Sequence, residues 1–296
     1  MDTQSCPHCA AAIVLYHPCE NILSNIDSYA SAVKKIYAID NTESPNQALA
    51  NRLKERYKNL EYIPNNQNLG IATALNQACD MAIDDGFAWL LTMDQDSCFI
   101  NFNDYLACLE KHGEISKTAL LAPNPQWHAK EHLPKNPLFN YEEKSLVITS
   151  GNFLNLTLFN KIGRFEEKLF IDMVDYDYCL KARMLDYKIL YFPDIMLQHS
   201  LGNLFQRKNL VTRKLRNKIE HSPQRVYYGA RNFLYLSKKY SKAFPREFSL
   251  PKILNILFIH EITKILIYED QKLAKINAKF LGLWHFIIGK YGKHEL

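Results

Sequence analysis

Short apolar runs alternate with amphipathic stretches over the first hundred residues. Residues 10–16 (AAAIVLY) form a continuous apolar run that His17-Pro18 stops, which predicts a parallel strand buried on both faces. Over 21–33 the apolar residues at 22, 23, 26, 29 and 33 have helical spacing. Residues 35–39 predict a second strand, 47–58 a helix with Leu49, Leu53 and Tyr57 on one face, and 60–63 a third strand. An Asn-rich loop, Asn65 to Gly70, leads into a helix over 71–83 in which Ala, Leu and Met predominate. A fourth apolar strand, 87–93, follows. Strands and helices in strict alternation predict an α/β domain with a mostly parallel central sheet covered on both faces.

The pattern is looser beyond residue 100. It predicts a helix over 101–112 and a strand over 118–122. Residues 123–145 hold four prolines and read as a surface excursion. A strand over 145–149 is expected to end at Ser150-Gly151-Asn152-Phe153, and a helical turn over 158–162 to stop at Gly163. Helix 178–185 and strand 188–192 come next, with 193–199 leading away from the sheet. Residues 203–222 are polar and basic without firm periodicity. A helix over 227–240 contains Arg231-Asn232, and 253–268 is apolar enough for a helix packed on the domain or lying on a membrane surface.

Composition narrows the class. The chain has 296 residues, 47% of them apolar and 23% charged, as in a globular protein. The net charge of +5 is uneven: acidic residues cluster at 84–96 and 166–177, basic ones at 207–218 and 238–252. A basic surface beside an acidic pocket suits an anionic ligand or an anionic membrane face. No helix-turn-helix, zinc-finger or RNA-binding signature is present, so nucleic acid is not an expected partner. Seven irregularly spaced cysteines and a start without a basic-apolar-small signal segment fit reduced thiols in the cytosol. Cys6-Pro7-His8-Cys9 is half a zinc pattern with no second half, and no run of eighteen apolar residues predicts a spanning helix. A Gly-x-Gly-x-x-Gly or Walker motif after the first strand is lacking, which disfavours dehydrogenases and phosphate-loop kinases.

The chemistry concentrates in two acidic clusters. Asp94-Gln95-Asp96 closes the fourth strand, at the end where α/β sheets bind ligands. Two carboxylates there can hold Mg²⁺ or Mn²⁺ and so offset charge on a diphosphate, although acidic pairs also occur as solvated turns. The second cluster offers Asp172, Asp175 and Asp177 as candidate general bases, or as helix-start carboxylates. His199 could be a metal ligand, a base or a structural histidine; from the residues alone the structural reading ranks first.

Four stretches carry a resemblance: Ile39-Asp40-Asn41-Thr42; residues 66–76 (NQNLGIATALN); residues 91–97 (LTMDQDS); and residues 170–181 (FIDMVDYDYCLK), with His199-Ser200-Leu201-Gly202 after them. In this order and spacing they resemble family 2 glycosyltransferases, in the rhamnosyltransferase-like branch of bacterial surface polysaccharide synthesis. The resemblance implies a GT-A type nucleotide-diphospho-sugar transferase domain over 1–235, with a nucleotide half at about 10–98 and an acceptor half at about 99–235. A helical region, 236–296, completes the chain and is a candidate for membrane association. Asp40 is then expected at the nucleoside, Asn68 and Gly70 in the loop over the nucleotide, and Asn76 fixing the following helix. Asp94 and Asp96 match the metal motif, completed by His199, which reverses the ranking reached for that histidine unaided. Asp175 matches the catalytic base, and Asp177, expected among the donor-binding residues, stands where many relatives carry Glu. Ser150, Gly151 and Asn152 are expected on the acceptor side.

The implied activity is inverting, Mg²⁺- or Mn²⁺-dependent hexosyl transfer. The expected donor is dTDP-β-L-rhamnose and the acceptor a lipid-linked saccharide of lipopolysaccharide, O-antigen or capsule synthesis, at the cytoplasmic face of an anionic bacterial inner membrane. A homo-oligomer is compatible with the sequence. The alternatives are a UDP-hexose or UDP-galactofuranose donor, a nucleotidyltransferase, or an inactive membrane-associated scaffold or carbohydrate-binding subunit. A nucleotidyltransferase needs a Gly-rich basic loop where Tyr16-His17-Pro18 stands.

Overall fold

The structure, a computed structural model, describes residues 9–113, 116–126, 140–199, 204–208 and 215–296. Cys6 and His8, the proline-rich stretch 127–139 and Ser200-Leu201-Gly202 lie outside the described residues, as does part of the basic segment 207–218. The chain divides into two compact units: residues up to Glu166 with Val174–Ser200, and Glu167–Met173 with the described part of Leu201–Leu296.

The first unit is an α/β sheet. In chain order its elements are β1 (Cys9–Leu15), α1 (Ile22–Asp27), β2 (Ile36–Asp40), α2 (Gln47–Arg56), β3 (Leu60–Pro64), α3 (Ile71–Asp84), β4 (Trp89–Asp94) and β5 (Ser97–Phe99). These are followed by α4 (Phe102–His112), β6 (Thr118–Gln126), β7 (Glu142–Glu143), β8 (Asn152–Asn155), α5 (Leu156–Ile162), α6 (Val174–Met184) and β9 (Lys188–His199). The strand order is β3-β2-β1-β4-β8-β6-β9-β5, with β7 paired to β9. β1, β2, β3 and β4 are mutually parallel, as their apolar runs predict, and every residue of β1 is buried. Beyond β4 the sheet is mixed. β8 enters antiparallel between β4 and β6, and β9 runs parallel to β6 but antiparallel to β5.

Two local expectations change. Residues 145–149 form no strand; the strand starts at Asn152, after a turn in which Gly151 adopts φ +83°. A Cβ at Gly151 would come within 2.6 Å of Pro123 Cγ, so only glycine fits this turn. β9 also does not stop before Pro193. It continues to His199 because the ladder with β6 shifts register between Ala122 and Asn124, and a shifted register tolerates a proline. The Pro193 carbonyl accepts a bond from Asn124 Nδ2 at 2.8 Å there.

The second unit holds the hairpin β10 (Leu204–Lys208) and β11 (Leu215–Ile219), then α7 (Pro223–Tyr240), α8 (Leu250–Leu254), α9 (Glu261–Tyr268) and α10 (Lys272–Ile287). A π-helical turn, Asn255–His260, joins α8 to α9. Ser222 caps α7 by accepting from Arg225 N at 3.3 Å, with Pro223 in the first turn. α7 packs on α10, and the lack of a side chain at Gly282 allows the contact: a Cβ there would lie 2.8 Å from the Tyr227 carbonyl. The boundary drawn near residue 235 from sequence falls inside α7, which packs with the C-terminal helices. Among the described residues no helix is long and apolar enough to cross a membrane.

Candidate active site

The chain lays β2 and β3 on one side of β1 and then returns to place β4 on the other. At such a switch the loops leave neighbouring strands in opposite directions and open a crevice at the carboxyl ends. Asp40 ends β2 level with Leu15, and Asp94 ends β4 level with Val14, so both carboxylates stand at this rim.

Asp40 is buried and fixed on both oxygens. Oδ1 accepts from Thr42 N at 2.8 Å and Oδ2 from the Tyr62 hydroxyl at 2.6 Å. Burial, then the bond to Asp40, pushes the Tyr62 phenol up, which keeps it a donor. The Asn-rich loop is tied to the same strand end: Asn41 Nδ2 donates to the Gly70 carbonyl at 3.0 Å, and Asn65 Nδ2 to Asn41 Oδ1 at 2.9 Å. Asn68 Oδ1 accepts from Gly70 N at 3.0 Å, and Gly70 enters α3 at φ +85°. Asn76 is turned away from the loop, toward Phe165. Its amide donates to the Phe165 carbonyl at 3.0 Å and accepts from Phe165 N at 2.9 Å.

The β5–β9 pairing brings His199, the third member of the candidate metal cluster, beside the end of β4. Ser97 and His199 are register partners, and Ser97 Oγ lies 2.6 Å from His199 Nδ1. Ser150 Oγ donates to Ser97 Oγ at 2.8 Å and accepts from Asp94 N at 3.2 Å, so two buried hydroxyls and a part-buried amide tie both sides of the cluster together. The Gln95 side-chain amide locks the loop, Oε1 accepting from Tyr16 N at 2.9 Å and Nε2 donating to Tyr16 O at 3.1 Å. His199 Nδ1 stands 3.5 Å from Asp96 Oδ1, and one ligand atom from each of Asp94, Asp96 and His199 lies within 4.8 Å of the others. Octahedral ligands about 2.1 Å from a cation sit roughly 3 to 4 Å apart, so these two carboxylates and one imidazole, close to that spacing, are candidate ligands of a single divalent ion.

Asp175 stands in the first turn of α6, its Oδ1 accepting from Tyr176 N at 2.8 Å. It lines a small cavity with Thr92, Thr149, Asn152 and Cys179, and Thr92 is two residues from Asp94 on β4. The second acidic cluster thus reaches the strand that carries the first. Burial pushes the Cys179 thiol up to about 12, so this cavity holds no thiolate nucleophile at neutral pH. A larger cleft of about 310 Å³ shares Val147 and Asn152 with it and is also lined by Asn124, Lys144, Tyr176 and Tyr191. Of the three residues expected on the acceptor side, Asn152 lines this cleft, Gly151 makes the turn and Ser150 braces the metal motif. Asp177, expected at the donor, is fully buried and paired with Lys181 Nζ at 2.7 Å.

Tyr62, Ser97 and Tyr176 were not foreseen as site residues. Ser97 opens the alternation Ser97-Cys98-Phe99, a strand signal too short to announce its partner.

The switch-point crevice thus carries the Asp40 carboxylate, a candidate metal cluster and a further carboxylate, Asp175, beside a cleft of about 310 Å³. Residues 12–165 match the model described as Glycosyl transferase family 2, and the chain belongs to that family. It is therefore a glycosyltransferase. It is 29% identical to the dTDP-rhamnosyl transferase RfbF of Shigella flexneri, over 77% of this chain and 79% of that protein. Two solved structures share the fold. The mannosyltransferase PcManGT from Pyrobaculum calidifontis, in complex with GDP-Man and Mn²⁺, has a TM-score of 0.57 at 13% identity, covering 100% of this chain and 78% of that one. GalNAc-T7 with UDP, GalNAc and Mn²⁺ has a TM-score of 0.55 at 14% identity over 84% of this chain. The chain spans about half (54%) of the length of GalNAc-T7. The GT-A architecture with a helical C-terminal region, expected from the sequence, is the one found.

Proposed function

We propose that this chain transfers L-rhamnose from dTDP-β-L-rhamnose, with inversion, to a hydroxyl of a lipid-linked saccharide in bacterial surface polysaccharide synthesis. The observation that carries the transferase chemistry is the convergence of Asp94, Asp96 and His199 at the end of β4, with Asp175 lining a cavity against Thr92 of that strand. The kinship to a dTDP-rhamnosyl transferase supports the donor. A divalent cation held by Asp94, Asp96 and His199 would neutralise charge on the departing diphosphate. Asp40 and Tyr62, with the loop holding Asn68 and Gly70, bind and enclose the nucleoside. The cleft lined by Asn152, Tyr176 and Tyr191 receives the acceptor sugar, whose ring can lie on a tyrosine face. Asp175 takes the hydroxyl proton as the acceptor oxygen bonds to the anomeric carbon and the bond to the diphosphate breaks.

The exposed face of α10 supports contact with an anionic membrane. Leu273, Phe280, Trp284 and Ile287 recur at helical spacing on its solvent side, with Lys272 and Lys290 exposed at its ends.

A donor screen tests the reading. Purified enzyme with Mn²⁺ or Mg²⁺ is expected to hydrolyse or transfer from dTDP-rhamnose in preference to UDP-glucose, UDP-galactose and UDP-galactofuranose, and to lose activity with chelator. Preference for a UDP-sugar would overturn the donor, and activity undiminished by chelator would overturn the metal.

A further inference from the structure

We propose that the small cavity between β4, β8 and α6 is a site for one ordered water, held by the Tyr178 hydroxyl and Asn152 Oδ1, and that through this water Tyr178 is a positioning residue for Asp175. The water site stands on the cavity alone. The part that concerns transfer rests on Asp175 being the base.

The cavity has two walls. On the sheet, Thr92 of β4 and Asn152 of β8 are register partners, and both line it. On the helix, Asp175, Tyr178 and Cys179 line it, at the i, i+3 and i+4 positions that share one face of α6. Its volume of about 10 Å³ is near the least that admits a water molecule. Asn152 and Tyr178 are 4% and 1% exposed, and neither Asn152 Oδ1 nor the Tyr178 hydroxyl has a hydrogen-bond partner among the described residues. A buried polar atom without a partner is costly, and folded proteins pair nearly all of them with protein or water.

The lining groups set the direction of each bond. Asn152 Nδ2 donates to the Ile148 carbonyl at 2.6 Å, which fixes the amide and leaves Oδ1 to accept. The Thr92 hydroxyl donates to the Thr149 carbonyl at 2.7 Å, so its proton is committed, and the Cys179 thiol donates to the Val147 carbonyl at 3.8 Å. Tyr178 keeps its proton, because burial pushes the phenol well above its usual range. Its ring lies 4.8 Å from that of Phe165 and 6.1 Å from that of Phe159, which fixes where the hydroxyl points. A water in the cavity accepts from Tyr178 and donates one proton to Asn152 Oδ1 and the other to the Asp175 carboxylate. Three partners are usual for an internal water. Asp175 Oδ1 also accepts from Tyr176 N at 2.8 Å, so two bonds orient the carboxylate. A carboxylate has about four lone-pair sites, which leaves room for the acceptor hydroxyl whose proton it takes.

A crystal structure of the parent chain should show a water within hydrogen-bonding distance of both Asn152 Oδ1 and the Tyr178 hydroxyl. A map that shows ordered waters elsewhere and none here would overturn the site. Tyr178→Phe keeps the ring and removes the donor. Its thermal midpoint should fall, because a bonded hydroxyl is lost; a midpoint that holds or rises would mean the hydroxyl had no partner, and counts equally against the water. With Mn²⁺ and the donor that the screen selects, Tyr178→Phe should lower kcat about threefold or more at a donor KM within about twofold of the parent. Placed on Asp175→Asn, the same substitution should lower kcat no further. An unchanged kcat in the single variant, or an equal fold loss in both backgrounds, would remove the positioning role. Should Asp175→Asn alone turn over near the parent rate, the base assignment fails and the positioning role falls with it, while the map and the thermal midpoint still decide the water site.

Discussion

Ser97 and His199 face each other across the β5–β9 pair, with the serine hydroxyl 2.6 Å from Nδ1 of the imidazole. The contact orients a ring that would ligate a cation, and partners of this kind are worth about 10- to 100-fold in metal affinity. Ser97→Ala is expected to weaken Mn²⁺ binding in the presence of dTDP about tenfold by calorimetric titration, and Asp96→Ala, which removes a ligand outright, to weaken it further. Mn²⁺ affinity unchanged in both variants would remove the metal role from this cluster.

Asp175→Asn keeps an oxygen able to accept from Tyr176 N, so α6 should start as before. It loses the capacity to take a proton. Transfer kcat is expected to fall about 10²- to 10⁴-fold, the range general bases contribute, while dTDP affinity with Mn²⁺ stays within about twofold. Near-normal turnover would show that another group accepts the proton.

The part of the site legible in the sequence is the part built from local pattern. β1, β2 and β4 are largely apolar runs because parallel strands inside the sheet are buried on both faces, so Asp40 and Asp94 could be set at strand ends directly. His199 could not. Its approach to Asp96 depends on β9 running through Pro193, and a proline reads as a stop unless the register shift beside it is known. Asn76 sits inside a motif that carries the family resemblance, yet the bonds to Phe165 that occupy it are tertiary and leave no periodic trace, whereas Asp177 pairs with Lys181 four residues on within α6, a spacing the sequence does show. Arg231-Asn232 was visible as a polar pair inside a helix, but the carbonyls it serves are some sixty residues earlier in the chain.

Asn76 gives a prediction about stability. Asn76→Ala leaves the Phe165 N–H and C=O buried without their partner, at a cost of roughly 2–4 kcal/mol by the usual penalty for unsatisfied groups. Urea unfolding should show the unfolding free energy fall by that amount, with kcat per folded molecule nearly unchanged. A selective rise in donor KM without loss of stability would instead assign Asn76 to the nucleotide.

The second unit should weaken in mild acid. His285 and His294 pack ring to ring at 4.6 Å, and His285 Nδ1 lies 2.7 Å from the Tyr227 hydroxyl. Burial first, and neighbouring positive charge second, hold both imidazoles below the usual histidine range, and burial does the same to His221. Unfolded histidines bind a proton near pH 6.5, so between that value and the lower folded values the unfolded state carries more protons. Stability is therefore complete above about pH 6.5 and is lost as the pH falls below it. Asp172 acts in the opposite sense, because burial raises its carboxyl and protonation then favours the folded state, but a carboxyl titrates mainly below the histidine window. Thermal midpoints taken from about pH 7.5 down to about pH 5.5 should fall. His285→Gln, which cannot take up the proton, should flatten that fall. A parent midpoint that holds steady or rises over the same interval would mean these imidazoles are not kept neutral by the fold.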